Sequence, residues 1–174
     1  MSRLISALDT VLRLALLVLA VSMLITVVWQ VISRHALSSP SSVTEEIARF
    51  QLIWLGLLGA AYTFRQRMHV GIDIFTSTLQ GKSRVVAEIS ALIASLIFSI
   101  VILIFGGLKL VVLTHELQQT SAALEIRMSF VYLALPISGV LIAIYTLHFI
   151  ASAYRLWREQ VFRPAMQSDV RRER

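Results

Sequence analysis

The chain reads as an all-α membrane protein with four transmembrane helices, both termini in the cytoplasm, and a short interfacial amphipathic helix between the second and third spans. Three observations predict this. Hydrophobic residues make up 57% of the 174 and charged residues 15%, against roughly 45–50% and about 25% in soluble domains. Four apolar stretches reach or approach the ~20 residues needed to cross ~30 Å of hydrocarbon. Lys and Arg are distributed unevenly around those stretches. A chain this short has no interior large enough for so much apolar surface, and its mean hydropathy of +0.77 leaves lipid as the natural solvent.

The expected spans are residues 11–32, 47–64, 85–113 and 130–153, forming one domain over 1–159, followed by a basic cytoplasmic tail at 160–174. The first apolar run is too long for a secretory signal, whose apolar core is roughly 7–15 residues, and no clear small-residue cleavage site follows it. It is therefore expected to be a retained helix. The runs are continuously apolar and lack the alternation of barrel strands.

Twelve of the sixteen Lys and Arg flank the N-terminus, the loop after the second span and the C-terminus. The other four are Arg34, Arg49, Lys109 and Arg127. Cytoplasmic loops carry the excess of basic residues, so both termini and the middle loop are placed inside. Trp157 and Tyr154 then fit an inner aromatic belt, and Trp29 an outer one. The formal charge of +6 is explained by these flanks, and nucleic acid is not expected as a partner. With no cysteine, disulfides and thiolate metal sites are excluded.

Several residues mark how the helices would be built. Ser22, Thr26 and Gln30 share one face of the first span. Gly56 and Ala60 form a small-xxx-small pair on the second, and Ala91, Ser95 and Ser99 a similar row on the third. Small residues at this spacing let membrane helices approach closely. Pro136 removes the donor that the Tyr132 carbonyl would use, so a bend is expected in the fourth span. Ser42 and Glu45 have capping-box spacing, with Thr44 a competing cap. Glu45 and Glu46 would lie in the first turn of the second helix, and Glu45 can reach Arg49 four residues on. Met68, Ile72, Phe75 and Leu79 form an apolar stripe, with Arg65, Arg67, His69, Asp73 and Lys82 as its polar counterpart. That pattern predicts an amphipathic helix lying in the cytoplasmic interface. The basic tail is suited to anionic lipid headgroups.

No carboxylate lies deep in a span, and no phosphate loop, HExxH or nucleophile elbow is present. An ionisable residue inside the membrane is the usual sign of a transport pathway. Its absence here points away from an enzyme or a self-sufficient transporter, and no cofactor or metal is expected. Two alternatives stand beside this reading. Among His35, His69, His115 and His148, the first and third fall at the outer ends of the first and third spans and could face each other as axial ligands of a four-helix membrane cytochrome, whereas His148 has no obvious partner inside a span. A stand-alone small transporter or assembly protein has the same layout.

The stretch from Thr44 to Phe75, TEEIARFQLIWLGLLGAAYTFRQRMHVGIDIF, resembles the signature of the small membrane subunits of tripartite ATP-independent periplasmic (TRAP) transporters. The matching positions are Glu45, Glu46, Ala48, Arg49, Trp54, Gly59, Ala60, Ala61, His69, Val70, Ile72 and Asp73. The segment from Tyr132 through Pro136 to Gly139 is similar to the family's last helix, and Arg34 also fits. One departure is Val43, where the family often carries Trp.

The resemblance implies a non-catalytic subunit of the bacterial inner membrane. It would scaffold a large sodium-coupled membrane subunit for uptake of an organic acid, delivered by a periplasmic substrate-binding protein. It also implies that Glu45, Glu46 and Arg49 lie on the periplasmic side, facing a partner. His69 and Asp73 would lie on the cytoplasmic side. Trp54, Gly56, Ala60 and Pro136 complete the candidate interface and structural set.

Overall fold

The computed structural model describes residues 2–35, 42–66 and 82–151. The described chain is helical: α1 (Ser2–His35), α2 (Ser42–Arg65), α3 (Lys82–Phe98), a π-helical segment (Ser99–Gly106), α4 (Gly107–Glu116), α5 (Met128–Tyr132) and α6 (134–151). α3, the π-helical segment and α4 run on as one span, and α5 with α6 forms another. Four helices are therefore long and apolar enough to cross a membrane. The first three outrun their apolar stretches, running from Ser2 to His35, Ser42 to Arg65 and Lys82 to Glu116, because helical hydrogen bonding continues through polar flanks; the fourth is described from Met128 to Ala151. The expected amphipathic helix, with His69 and Asp73, and the basic tail lie outside the described residues.

The N-terminal end of α1, the C-terminal end of α2 and the C-terminal end of α6 meet at one end of the bundle, here the termini end. The start of α2 meets the 117–127 connection at the other, the hairpin end. The core joins Leu12 of α1, Leu58, Ala61 and Phe64 of α2, Leu103 of the π segment, and Ile142, Tyr145 and Phe149 of α6. Trp54 is half-buried and packs against this cluster. Within lipid no hydrophobic force draws helices together, so fit and polar contact must do so. α1 buries little beyond its contact with α2: Val11, Leu14 and Leu24 are 66%, 61% and 65% exposed. Trp29 is exposed.

The third and fourth spans approach each other closely. A Cβ built on Gly139 would stand 2.7 Å from Leu103 Cβ and 3.1 Å from the Ser99 carbonyl oxygen. One on Gly107 would stand 2.9 Å from Leu135 Cβ and 3.0 Å from Pro136 Cδ. These two glycines are what let the helices touch. In contrast, a Cβ on Gly56 meets no atom within 4 Å, and Ala60 is exposed. The small pair on α2 therefore contributes no close contact within the described chain. On the third span the row of small residues does turn inward, and Ser99 is fully buried.

The bend expected from Pro136 takes a defined form. Regular helix is interrupted at Leu133, between α5 and α6, and resumes with the Ile137 N–H donating to the Leu133 carbonyl at 3.2 Å. The missing proline donor accounts for the break. The π-helical turns of 99–106 lie directly against Gly139 in the same contact. π-turns are rare inside α-helices and often mark special sites. Here the site is the close contact with the backbone of the fourth span.

Candidate functional site

Two polar clusters, one at each end of the bundle, and one pair between them hold most of the chemistry of the described residues. At the hairpin end the chain leaves α4 through a Schellman closure. The Gln119 N–H donates to the Thr114 carbonyl and the Gln118 N–H to the His115 carbonyl, with Gln118 at φ 47°. Thr120 and Arg127 then pair as an isolated antiparallel bridge. Ser121 opens a tight turn, capping it through its own hydroxyl to the Leu124 N–H at 3.3 Å. Glu125, at φ 54°, closes the turn.

The N–H groups of such a turn converge on one point and attract an anion. That anion is the Glu46 carboxylate of α2. It accepts from the Ser121 hydroxyl at 2.6 Å and from the N–H groups of Ala122, Ala123 and Leu124 at 2.9, 3.0 and 2.9 Å. All four partners are donors, which suits the ionised carboxylate. Glu46 thus pins the connection between the third and fourth spans onto the start of the second.

Its neighbour behaves differently. Glu45 accepts from Arg49 at 3.2 Å, and both side chains are more than 60% exposed. A pair this exposed contributes little to stability. The two charges are presented to the surroundings rather than to the protein.

At the termini end Asp9 joins three helices. Its Oδ2 accepts from Arg65 Nε at 3.0 Å and its Oδ1 from the Tyr145 hydroxyl at 2.9 Å. The Arg65 guanidinium also lies 5.9 Å from the centre of the Tyr145 ring. Tyr145 is fully buried, and a buried phenol needs a polar partner. Asp9 supplies it. Phe64 and Phe149 pack beneath with ring centres 6.4 Å apart.

Between the two ends, Gln51 Nε2 donates to Ser22 Oγ at 3.1 Å across α1 and α2. Gln51 Oε1 is buried and has no hydrogen-bond partner among the described residues.

The candidates read from sequence therefore separate. Glu46 is engaged within the chain, and Trp54 and Pro136 are packed inside it. Glu45, Arg49, Gly56 and Ala60 face outward. Asp9, Ser121, Gly107 and Gly139 carry more of the structure than the sequence suggested. Asp9 was detectable as an acidic residue in an otherwise basic flank. Ser121 has only a short polar-small run to mark it.

The family model for "Tripartite ATP-independent periplasmic transporters, DctQ component" matches residues 23–159. The chain is 29% identical over 127 residues to the sialic acid TRAP transporter small permease protein SiaQ of Vibrio cholerae, covering 70% of this chain and 69% of that protein. It is 32% identical over 97 residues to the C4-dicarboxylate TRAP transporter small permease protein DctQ of Rhodobacter capsulatus, covering 56% and 42%. It is also 29% identical over 113 residues to the isethionate TRAP transporter permease protein DctMQ of Oleidesulfovibrio alaskensis, covering 65% of this chain but 18% of that protein. With most of its length matched, the four-span chain belongs to the DctQ family of small TRAP transporter permease components.

Proposed function

We propose that the chain is the scaffolding subunit of a TRAP transporter in the bacterial inner membrane, with its termini end in the cytoplasm. In this reading it binds a large sodium-coupled membrane subunit and holds it in place while that subunit carries an organic acid inward. A periplasmic binding protein delivers the acid to the hairpin end. The long DctMQ relative, of which this chain matches a minor part, supports a partner large enough to be fused to it. The distribution of basic residues supports the orientation.

The observation that carries the proposal is the open small-residue face of α2. Nothing in the described chain lies within 4 Å of a Cβ on Gly56, and Ala60 one turn on is exposed. Small residues on an outer helix face let a neighbouring helix approach closely. Asp9 and Arg65, near the termini end, tie this chain's own helices together, as befits a scaffold.

The test is a mild-detergent pull-down of the tagged chain from its native membrane. Co-purification of a large polytopic subunit is expected, and Gly56→Leu should lower its yield while leaving the chain itself folded. Elution of the wild-type chain without such a subunit would overturn the scaffold. Undiminished co-purification of the Gly56→Leu variant would overturn this interface.

A further inference from the structure

A cavity of about 270 Å³ lies at the termini end, lined by Asp9, Arg13, Tyr62, Arg65, Gln66 and Phe149. Its chemistry is one-sided. Asp9 is the carboxylate of the lining, and both its oxygens are taken, by Arg65 and Tyr145. Arg65 commits its Nε to Asp9, and its terminal nitrogens make no hydrogen bond to a described residue. Arg13 has no hydrogen bond or ion pair among the described residues. Tyr62 Oη accepts from Gln66 Nε2 at 2.7 Å, so its own proton is available to donate. Two guanidinium groups against one occupied carboxylate give a net positive wall of donors, with acceptors in short supply.

Such a wall fits an oxyanion with several acceptor oxygens. Guanidinium forks match phosphate geometry in particular. The setting narrows the source. Around Arg13 the surface of α1 is apolar, with Val11, Leu14, Leu17 and Val18 between 57% and 66% exposed. Arg13 itself is exposed within that apolar surface, between Val11 and Leu14 near the start of the first span, within reach of a headgroup by snorkelling.

We propose that this cavity binds the phosphate of an anionic phospholipid headgroup. Arg13 and the terminal nitrogens of Arg65 hold the phosphate oxygens, Tyr62 and Gln66 donate to the neighbouring ester or glycerol oxygens, and the acyl chains run down the exposed face of α1. Basic pockets between membrane helices recognise anionic headgroups in this way. The site does not depend on the scaffold role. Free phosphate has the same chemistry, so the test must separate the two.

The full chain, with any subunit that accompanies it, is delipidated in mild detergent. Native mass spectrometry then follows add-back of dioleoyl phosphatidylglycerol, dioleoyl phosphatidylcholine or sodium phosphate alone. Expected is preferential retention of phosphatidylglycerol over phosphatidylcholine, about fivefold for each arginine engaged. The preference should fall in Arg13→Gln, return in Arg13→Lys, and persist in Arg34→Gln, which alters the opposite end. Equal retention of the two lipids by the wild type overturns the site, and that comparison needs no variant to fold. Undiminished preference in Arg13→Gln overturns the assignment to this cavity. Sodium phosphate that binds by itself and displaces the lipid overturns the lipid in favour of a free anion.

Discussion

Glu46 and Ser121 stand 75 positions apart in the chain, yet the serine hydroxyl donates to the carboxylate at 2.6 Å. With the three N–H groups that follow Ser121, this contact locks the connection of the last two spans to the start of the second. The lock predicts a local consequence. Glu46→Gln replaces one acceptor oxygen with an amide NH2, a donor that faces donors. The amides of Ala122, Ala123 and Leu124 should then exchange faster with deuterium, and uptake by the assembled transporter should fall. Glu45→Gln, in an exposed pair, should leave those amides unchanged. Equal protection in both variants would mean that the turn holds without its anion.

Asp9, Arg65 and Tyr145 form a three-helix tie whose members should be energetically coupled. Asp9→Asn leaves Arg65 without its counter-charge and should cost ~1–3 kcal/mol. Tyr145→Phe should cost ~1 kcal/mol, in the range measured for hydrogen bonds between membrane helices. The double variant should cost less than the sum, with a coupling of at least ~0.5 kcal/mol. Thermal or denaturant unfolding in detergent measures all three. Strict additivity would show that the hydroxyl and carboxylate do not act together.

The glycines should fall into two classes. Gly139→Ala puts a methyl group 2.7 Å from Leu103 Cβ and against the Ser99 carbonyl, so the helices must separate. Overpacking of this kind costs ~1–3 kcal/mol. Gly107→Ala should behave similarly, since its neighbours include the Pro136 ring. Gly56→Ala meets open space and should be neutral or slightly stabilising in the isolated chain, because alanine is the better helix former. Melting temperatures of the three variants give the ranking directly.

Gln51 carries a buried oxygen with no hydrogen-bond partner among the described residues, and an unmet acceptor in an apolar setting is costly. Gln51→Leu should therefore leave the isolated chain as stable as the wild type or more so, by up to ~1 kcal/mol. Ser22 tolerates the loss because its hydroxyl donates to the Leu19 carbonyl at 3.0 Å. Clear destabilisation of the isolated chain would indicate that the amide contributes more than its single hydrogen bond to Ser22.

The candidate set from the sequence mixed two kinds of residue that only coordinates could sort. Glu45 and Glu46 are adjacent, identical in chemistry and both in the first turn of α2. A rotation of about 100° between successive helical residues turns one toward the 121–124 turn and the other outward to Arg49. Gly56 looked like a packing glycine because of Ala60 one turn away, while Gly139 marked the end of the segment from Tyr132 that resembles the family's last helix. In space Gly139 makes the tight contact, and Gly56 makes none with the described residues. Spacing identifies a small face; it does not say which neighbour that face meets.

Four apolar helices long enough to cross a membrane, their positions along the chain and their family are all legible in the amino-acid sequence. Those features are local. An unbroken apolar stretch must satisfy its own backbone hydrogen bonds in lipid, and a helix does so whatever surrounds it. The tertiary structure decided which polar groups meet: Asp9 with Arg65 and Tyr145, Glu46 with the turn at Ser121, Gln51 with Ser22. Those pairings depend on the rotation and register of each helix against the others. Rotation and register are set by close fit at Gly107 and Gly139 and by a few long-range hydrogen bonds, and neither leaves a periodic trace along the chain.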